Sequence, residues 1–348
     1  MRRTVNGFVH RRGVHSISSA LRDILEFNGF KFTEEMVFGL DCGLGFMYWK
    51  TKDMIPPILI GGRIDEGVVT ACQILGIKME RKAGSSPEIA WQEAKKLIDG
   101  NVPVMLRADS QYLQYLQHLR PAEEMHFGDH VMVLSGYDDE SDEAYVCDAR
   151  FEEPQAIALD SLSKARGSDR KPFPPNNCRY SFSFPSALTK LDGAVKIAIM
   201  ENAEVFMDPT VKNAGLKGVR YFAEQAIKWP EILTASDLKL TLKFCHEFID
   251  GIEGGEGLLR GIYSRFLRES SRLLGEQDLD ESAELIGKSS ESWSQASKLL
   301  LKASGEDAEV KGILAIVQEK ILNCYDLEEK VFIILSSLSR SWMEQFGE

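Results

Sequence analysis

Three residues far apart in the chain carry side chains that together could do nucleophilic chemistry. Ser16 sits at the front of GVHSISSALRDIL, residues 13–25. His130 opens the apolar run VMVLSGY, and Asp148 follows a second run, AYVC, beyond the polar turn DDESDE. Two such runs joined by a short polar turn read as a hairpin. A hairpin sets the start of its first strand beside the end of its second, so His130 and Asp148 are expected at one sheet edge. There the carboxylate can orient the imidazole, which is the base-and-orienter half of a triad. Ser16 would supply the nucleophile position, because a helix N-terminus offers unpaired N–H groups and a favourable dipole to a thiolate or an oxyanion. Serine is also a preferred helix cap, so the same position has a purely structural reading.

Other residues border this trio. His15 adjoins Ser16, and His126 lies four residues before His130 as a second candidate base. Asp109, Tyr112 and Tyr115 in ADSQYLQYL follow an apolar strand and precede the histidine loop. They are placed as an acceptor pocket in which Asp109 holds a substrate amine, against the alternative of an ordinary structured loop. Cys42, in GLDCGLGF, is an alternative nucleophile, although a small cysteine in a glycine-rich turn more often packs. Gly39, Gly43 and Gly45 do not make a phosphate loop: no G-K-[ST] follows them, and they do not form a G-x-G-x-x-G after a strand. Cys147, on an alternating strand, is expected to point into the core. Asp250, Glu253 and Glu256 around EGGEG form only a weak metal pattern, and no metal is assigned.

The elements that must position these residues fall into two halves. Ile17, Ala20, Leu21, Ile24 and Leu25 repeat with helical spacing and make one apolar face, closed by Asn28-Gly29. A short helix is expected near Glu34–Leu40. Strand patterns recur at Pro57–Ile60, Ile77–Lys82, Val102–Arg107, Val131–Gly136, Ala144–Cys147 and Tyr180–Phe184, with helices expected at Asp65–Leu75 and Pro87–Asp99. Such an order describes an α+β domain. RGSDRKPFPPNN, residues 166–177, reads as the loop between the halves. From about residue 190, long helical patterns occupy Leu191–Val205, Leu216–Lys228, Leu238–Ile252, Leu258–Leu274, Glu281–Ala303 and Val310–Phe346, the last expected to break internally. Two domains, 1–187 and 188–348, fit 348 residues better than one core.

Composition narrows the function classes. The net charge is −12, and residues 201–348 carry −9 of it, with 17 Lys+Arg against 26 Asp+Glu. That balance argues against nucleic acid, whose phosphates need a basic surface. Arg2, Arg3, Arg11 and Arg12 are a local basic cluster that could steer an acidic partner. No apolar run reaches the ~18 residues of a membrane span, and the basic start is not followed by an apolar stretch of the kind a secretory signal needs. Six scattered cysteines without metal spacing suggest reduced thiols and a cytoplasmic protein. The apolar end of the chain, IILSSLSRSWMEQF, offers a surface for a homodimer.

VHSISSALRDILEFNGFKFTEEMVFGLDCGLGFMYW, RADSQYLQYL and HFGDHVMVLSGYD together resemble the N-terminal domain of the butirosin biosynthesis protein H family. IDGIEGGEGLLRGIYSRFLRES and ESWSQASKLL resemble the helical domain of unknown function that often follows it. The resemblance implies a papain-like, cysteine-peptidase-type N-terminal domain with an all-helical C-terminal domain expected to cover or shape the cleft. It implies acyl transfer from a thioester on an acyl carrier protein to a small amine acceptor, through a covalent acyl-enzyme at position 16. His130 falls on the family's general base and Asp148 on its orienter. It implies no cofactor of the protein's own; phosphopantetheine would arrive on the carrier. The family pattern has a cysteine after the histidine where this chain has Ser16. A replaced cysteine, a natural serine nucleophile and a lineage without catalysis all stay open. So do two other readings of the cleft: a silent binder of small molecules or peptides, and a peptidase or amidase. The helical half departs as well, reading EGGEG where the family suggests a Gly/Thr-rich turn.

Overall fold

In the computed structural model, described over residues 2–52, 54–63, 67–119, 126–251 and 255–346, the chain forms two compact units. Residues Met1–Val37 and Gly76–Leu188 make unit 1; Phe38–Leu75 and Thr189–Glu348 make unit 2. The protein is mixed α/β, with an antiparallel sheet in its N-terminal region and helices in its C-terminal part. An expected single division after residue 187 has to accommodate Phe38–Leu75, which packs within unit 2.

Unit 1 is built on a seven-stranded sheet. Its strands are β1 (Arg2–Thr4), β4 (Lys78–Lys82), β5 (Val104–Ala108), β6 (His130–Asp138), β7 (Glu143–Cys147), β8 (Gln155–Ala158) and β9 (Arg179–Ser183). They lie in the order β4-β9-β5-β6-β7-β8, every pairing antiparallel, with β1 on the far end of β6. RGSDRKPFPPNN is not an interdomain loop. It joins α5 (Leu159–Gly167) to β9 inside unit 1, because β9 must return to fill the place between β4 and β5.

The helices of unit 1 are α1 (Ser16–Phe27), α4 (Pro87–Asp99) and α5, and α2 (Glu34–Leu40) straddles the division. α1 packs on β6 and β5. Its apolar stripe is buried as its spacing requires, but Ser18, Ser19, Arg22 and Asp23 are buried too. A helix buried on its polar side must satisfy those groups with partners rather than water.

Unit 2 holds β2 (Met47–Lys50) paired with β3 (Ile58–Gly61), α3 (Val69–Leu75), and α6 (Leu191–Met207), α7 (Gly215–Ala226), α8 (Trp229–Ile232), α9 (Ala235–Asp250), α10 (Arg260–Leu274), α11 (Gln277–Ala303) and α12 (Val310–Phe346). The expected break in the last helix does not occur. α12 runs 37 residues without interruption, about 55 Å at 1.5 Å per residue. Its interior carries no proline, and the one charged residue buried there, Glu328, is fully partnered. Phe46, Phe222 and Trp293 stack in its core.

Candidate active site

The hairpin delivers what its pattern promised. β6 and β7 pair with Val133 opposite Cys147, and a bulge between Leu134 and Gly136 corrects the register toward the turn. One step further along that register sets Asp148 opposite Met132, on the same sheet face as His130, because residues two apart share a face. Asp148 is the first residue past the strand, so its side chain can turn toward the imidazole. His130 Nε2 donates to Asp148 Oδ2 at 2.7 Å, with His130 1% and Asp148 0% exposed.

Asp148 is held by more than the histidine. The Tyr115 hydroxyl donates to its Oδ2 at 3.1 Å, and the Arg150 N–H donates to its Oδ1 at 3.1 Å. Burial alone would push this carboxyl up. The His130 charge and hydrogen bond, the Arg150 N–H and the Tyr115 hydroxyl outweigh it and hold the group below the ordinary carboxylate value. An ionised, acceptor-only carboxylate on Nε2 fixes the tautomer of the ring.

Ser16 is not the helix cap. His15 is, with φ −116° and ψ 125°, its Nδ1 accepting the Ser18 N–H at 3.4 Å and lying 3.1 Å from Ser18 Oγ. Ser16 is the first helical residue, half-buried, and its Oγ accepts a long contact from the Val131 N–H at 3.5 Å. The hydroxyl thus lies against the backbone immediately after His130, at an end of α1 where the Ser16 and Ile17 N–H groups fall outside the helical ladder.

Two buried networks fix this geometry, and neither was visible in the sequence patterns. The Glu34 carboxylate accepts the N–H groups of Val14, at 3.0 Å to each oxygen, and His15, at 2.8 Å, and the Ser18 hydroxyl at 3.3 Å. It thereby sets how the chain enters α1. Gly13 has to be glycine beside it, since a Cβ there would overlap Ser19 Oγ and the Glu34 carboxylate. On the other side, His10 Nδ1 lies 2.6 Å from Asp23 Oδ2, while Nε2 lies 3.1 and 3.0 Å from the carbonyl oxygens of Asp148 and Phe151. A nitrogen facing carbonyls must carry a proton, and Arg22 Nε donates to Asp23 Oδ1 at 2.9 Å on the carboxylate's other side. These partners favour the protonated form of His10. Burial opposes that state, but the Asp23 bond and charge and the two carbonyls prevail, and its pKa is raised.

Asp109, Tyr112 and His126 come together in a second cluster. Asp109 is 0% exposed and accepts from His126 Nδ1 at 2.7 Å, Ser168 Oγ at 2.7 Å, and the N–H groups of Gln111 and Phe127 at 3.0 and 3.3 Å. Tyr112 packs its ring 5.8 Å from that of His126. His126 is thus drawn to Asp109 rather than to Asp148, and Tyr115 of ADSQYLQYL reaches the His130 pair. Cys42 lies in unit 2, its Sγ 3.4 Å from the Ala198 carbonyl. Gly39 and Gly43 there allow close approach of the Phe266 ring and the Phe38 carbonyl. Cys147 is buried, and that burial pushes its thiol up to about 12.

Of the weak metal pattern, Glu253 lies outside the described residues. Asp250 accepts from Gly257 N and Ser294 Oγ, and Glu256 pairs with Arg265. Among the described residues, no group of three or more His, Cys, Asp or Glu side chains could hold a metal ion, and no helix is long and apolar enough to cross a membrane.

Fold and site together define a mixed α/β protein with a helix N-terminus set beside a buried, carboxylate-oriented histidine. Residues 15–149 match the family described as butirosin biosynthesis protein H, N-terminal, and residues 160–335 match the domain of unknown function DUF4872. The chain belongs to the family in which that N-terminal region is followed by that domain. The second match begins in α5, so it takes in the last helix and strand of unit 1 as well as most of unit 2. No curated protein matches the chain.

Proposed function

We propose that unit 1 is the catalytic part of a biosynthetic acyltransferase that works through residue 16. The observation that carries this reading is the 2.7 Å His130–Asp148 bond with Ser16 Oγ against the next backbone N–H. The order of helix-borne nucleophile, then histidine, then acid on the sheet is that of papain-like hydrolases, and unit 1 is read as a variant of that fold. The family description names a biosynthesis protein, which favours an acyl group kept in a product over one released to water.

In this reading the donor is a thioester, such as one on an acyl carrier protein, and the acceptor is a small amine. His130 Nδ1 takes the Ser16 proton as Oγ attacks the thioester carbonyl. The C–S bond breaks, and the leaving thiolate takes that proton from His130. The amine then attacks the ester on Ser16, giving an amide and returning the proton to Oγ through the same imidazole. The Ser16 and Ile17 N–H groups face the oxyanion of each tetrahedral intermediate. His15, Tyr112 and Tyr115 border the substrate, and Asp109 orders the loop that carries the two tyrosines. The exposed Arg2 and Arg3 on β1, with Arg11 and Arg12 close by in sequence, are read as a basic approach for an acidic carrier.

The test is intact-mass analysis of the full chain after exposure to an acyl-pantetheine thioester, for the Ser16 protein and its Ser16→Cys variant. An acyl adduct on residue 16 that is discharged faster by a primary amine than by water supports transfer. Discharge indifferent to the amine makes the protein a hydrolase. No adduct on either form leaves the cleft a binding site and overturns the proposal.

A further inference from the structure

A cavity of about 300 Å³ opens between α4 and α5, within unit 1. Leu162 and Arg166 are buried at its base, Trp91 and Leu159 are half-buried in its walls, and Glu88 and Asp160 are exposed at its mouth. None of these belongs to the Ser16 site or to the Asp109 cluster.

Arg166 is the anomaly. It is only 2% exposed, yet among the described residues it forms no ion pair. Among the described residues its guanidinium makes one hydrogen bond, from Nη2 to the Ala90 carbonyl at 3.4 Å, and its Nε is buried without a partner. Burial, and then the nearby charge of Arg179, push its pKa down to about 10. Glu93, the carboxylate whose charge acts on it, is already paired with Lys82 and Arg179. Arg166 is thus left without a contacting carboxylate among the described residues, in a chain whose net charge is −12. A buried charge without a counterion is costly, and such groups are ordinarily paired.

We infer that this cavity binds a small carboxylate with an apolar body. Arg166, which lines the cavity, supplies the guanidinium charge that holds the carboxylate. Trp91, Leu159 and Leu162 receive the apolar body. Asp160 is paired with Lys164 at 2.6 Å, so Glu88 carries the negative charge at the mouth, and it opposes a phosphate dianion more than a monoanion. The inference is independent of acyl transfer, since it uses no residue of that site.

The experiment is calorimetric titration and thermal melting of the full chain with benzoate, phenyl phosphate and benzamide as probes. Benzoate is expected to bind and to raise the melting temperature, benzamide to do neither, and phenyl phosphate to bind more weakly. Arg166→Met should weaken benzoate at least about tenfold and, having removed an unpaired buried charge, melt higher than the parent when free. Should that variant not fold, Trp91→Ala at the cavity wall serves instead, with benzoate weakened about threefold or more. Benzoate bound equally by the variant, benzamide equal to benzoate, phenyl phosphate tighter than benzoate, or no binding at millimolar benzoate would each overturn the assignment.

Discussion

Arg260 and Glu328 in unit 2 and His130 and Asp148 in unit 1 are all at most 1% exposed, and both pairs join a base to a carboxylate. They differ in what remains after pairing. Arg260 meets Glu328 through two bonds, Nε to Oε1 at 2.8 Å and Nη2 to Oε2 at 2.9 Å, and its Nη1 donates to the Gly45 and Leu258 carbonyls. Trp293 Nε1 and Ser289 Oγ complete Glu328. Every nitrogen of that guanidinium is engaged, and an arginine does not give up its proton near neutral pH. The pair closes on itself and can only hold structure. In unit 1 the carboxylate engages one ring nitrogen of a group that does titrate, beside a hydroxyl at a helix end. On the reading proposed above, burial and charge alone do not mark a reactive site; a titratable ring beside a hydroxyl at a helix end does.

The largest effect is expected at Glu328. Glu328→Leu strands a buried guanidinium and is expected to cost about 3–5 kcal/mol of stability, seen as a lower urea midpoint, with acylation of residue 16 unchanged in the protein that stays folded. Adding Arg260→Met should recover most of that loss. At the other pair the same kind of change should act on chemistry. Asp148→Asn keeps the shape but loses the charge that fixes the His130 tautomer. It should slow acyl transfer by about 100-fold or more, measured as single-turnover rate, with a smaller effect on melting.

A third change separates support from chemistry. Glu34→Ala leaves the Val14 and His15 N–H groups without their acceptor, and about 2 kcal/mol of stability should go with it. The rate should also fall, because Ser16 is positioned by that carboxylate.

The smallest effect is a pH dependence that unit 2's pair cannot show. His10 titrates above its ordinary value of 6.5, so its contribution is whole below 6.5 and is lost as pH rises through the raised value. Asp148 titrates below its ordinary 3.8, so its contribution is whole above 3.8 and is lost as pH falls below that. Stability should be flat between these limits and decline on the alkaline side. His10→Gln should remove the alkaline slope in a denaturation series.

Much of this site could be read from the sequence because it rests on short-range patterns. Alternation across VMVLSGY and AYVC, with a polar turn between, places His130 and Asp148 together whatever else the fold does. The apolar spacing from Ile17 to Leu25 fixes which side of α1 faces the sheet. The supporting groups follow no such pattern. His10 reaches Asp148 across 138 positions, and Glu34 reaches His15 across 19. Each is a single polar residue in an unremarkable context, and only the folded chain shows its partner. RGSDRKPFPPNN has the composition of a linker, yet the sheet needs the strand that follows it. Arg166 sits in that same stretch, where its charge looked like a loop's rather than a cavity floor's.

The most direct measurement is the alkylation rate of Ser16→Cys as a function of pH, read as mass added to residue 16 against the Ser16 protein as background. A thiolate beside the His130 imidazolium and the α1 N-terminus should react well below the ordinary thiol pKa of ~8.5, and His130→Ala should return it to that value. A rate that follows an ordinary thiol in both proteins would contradict the account.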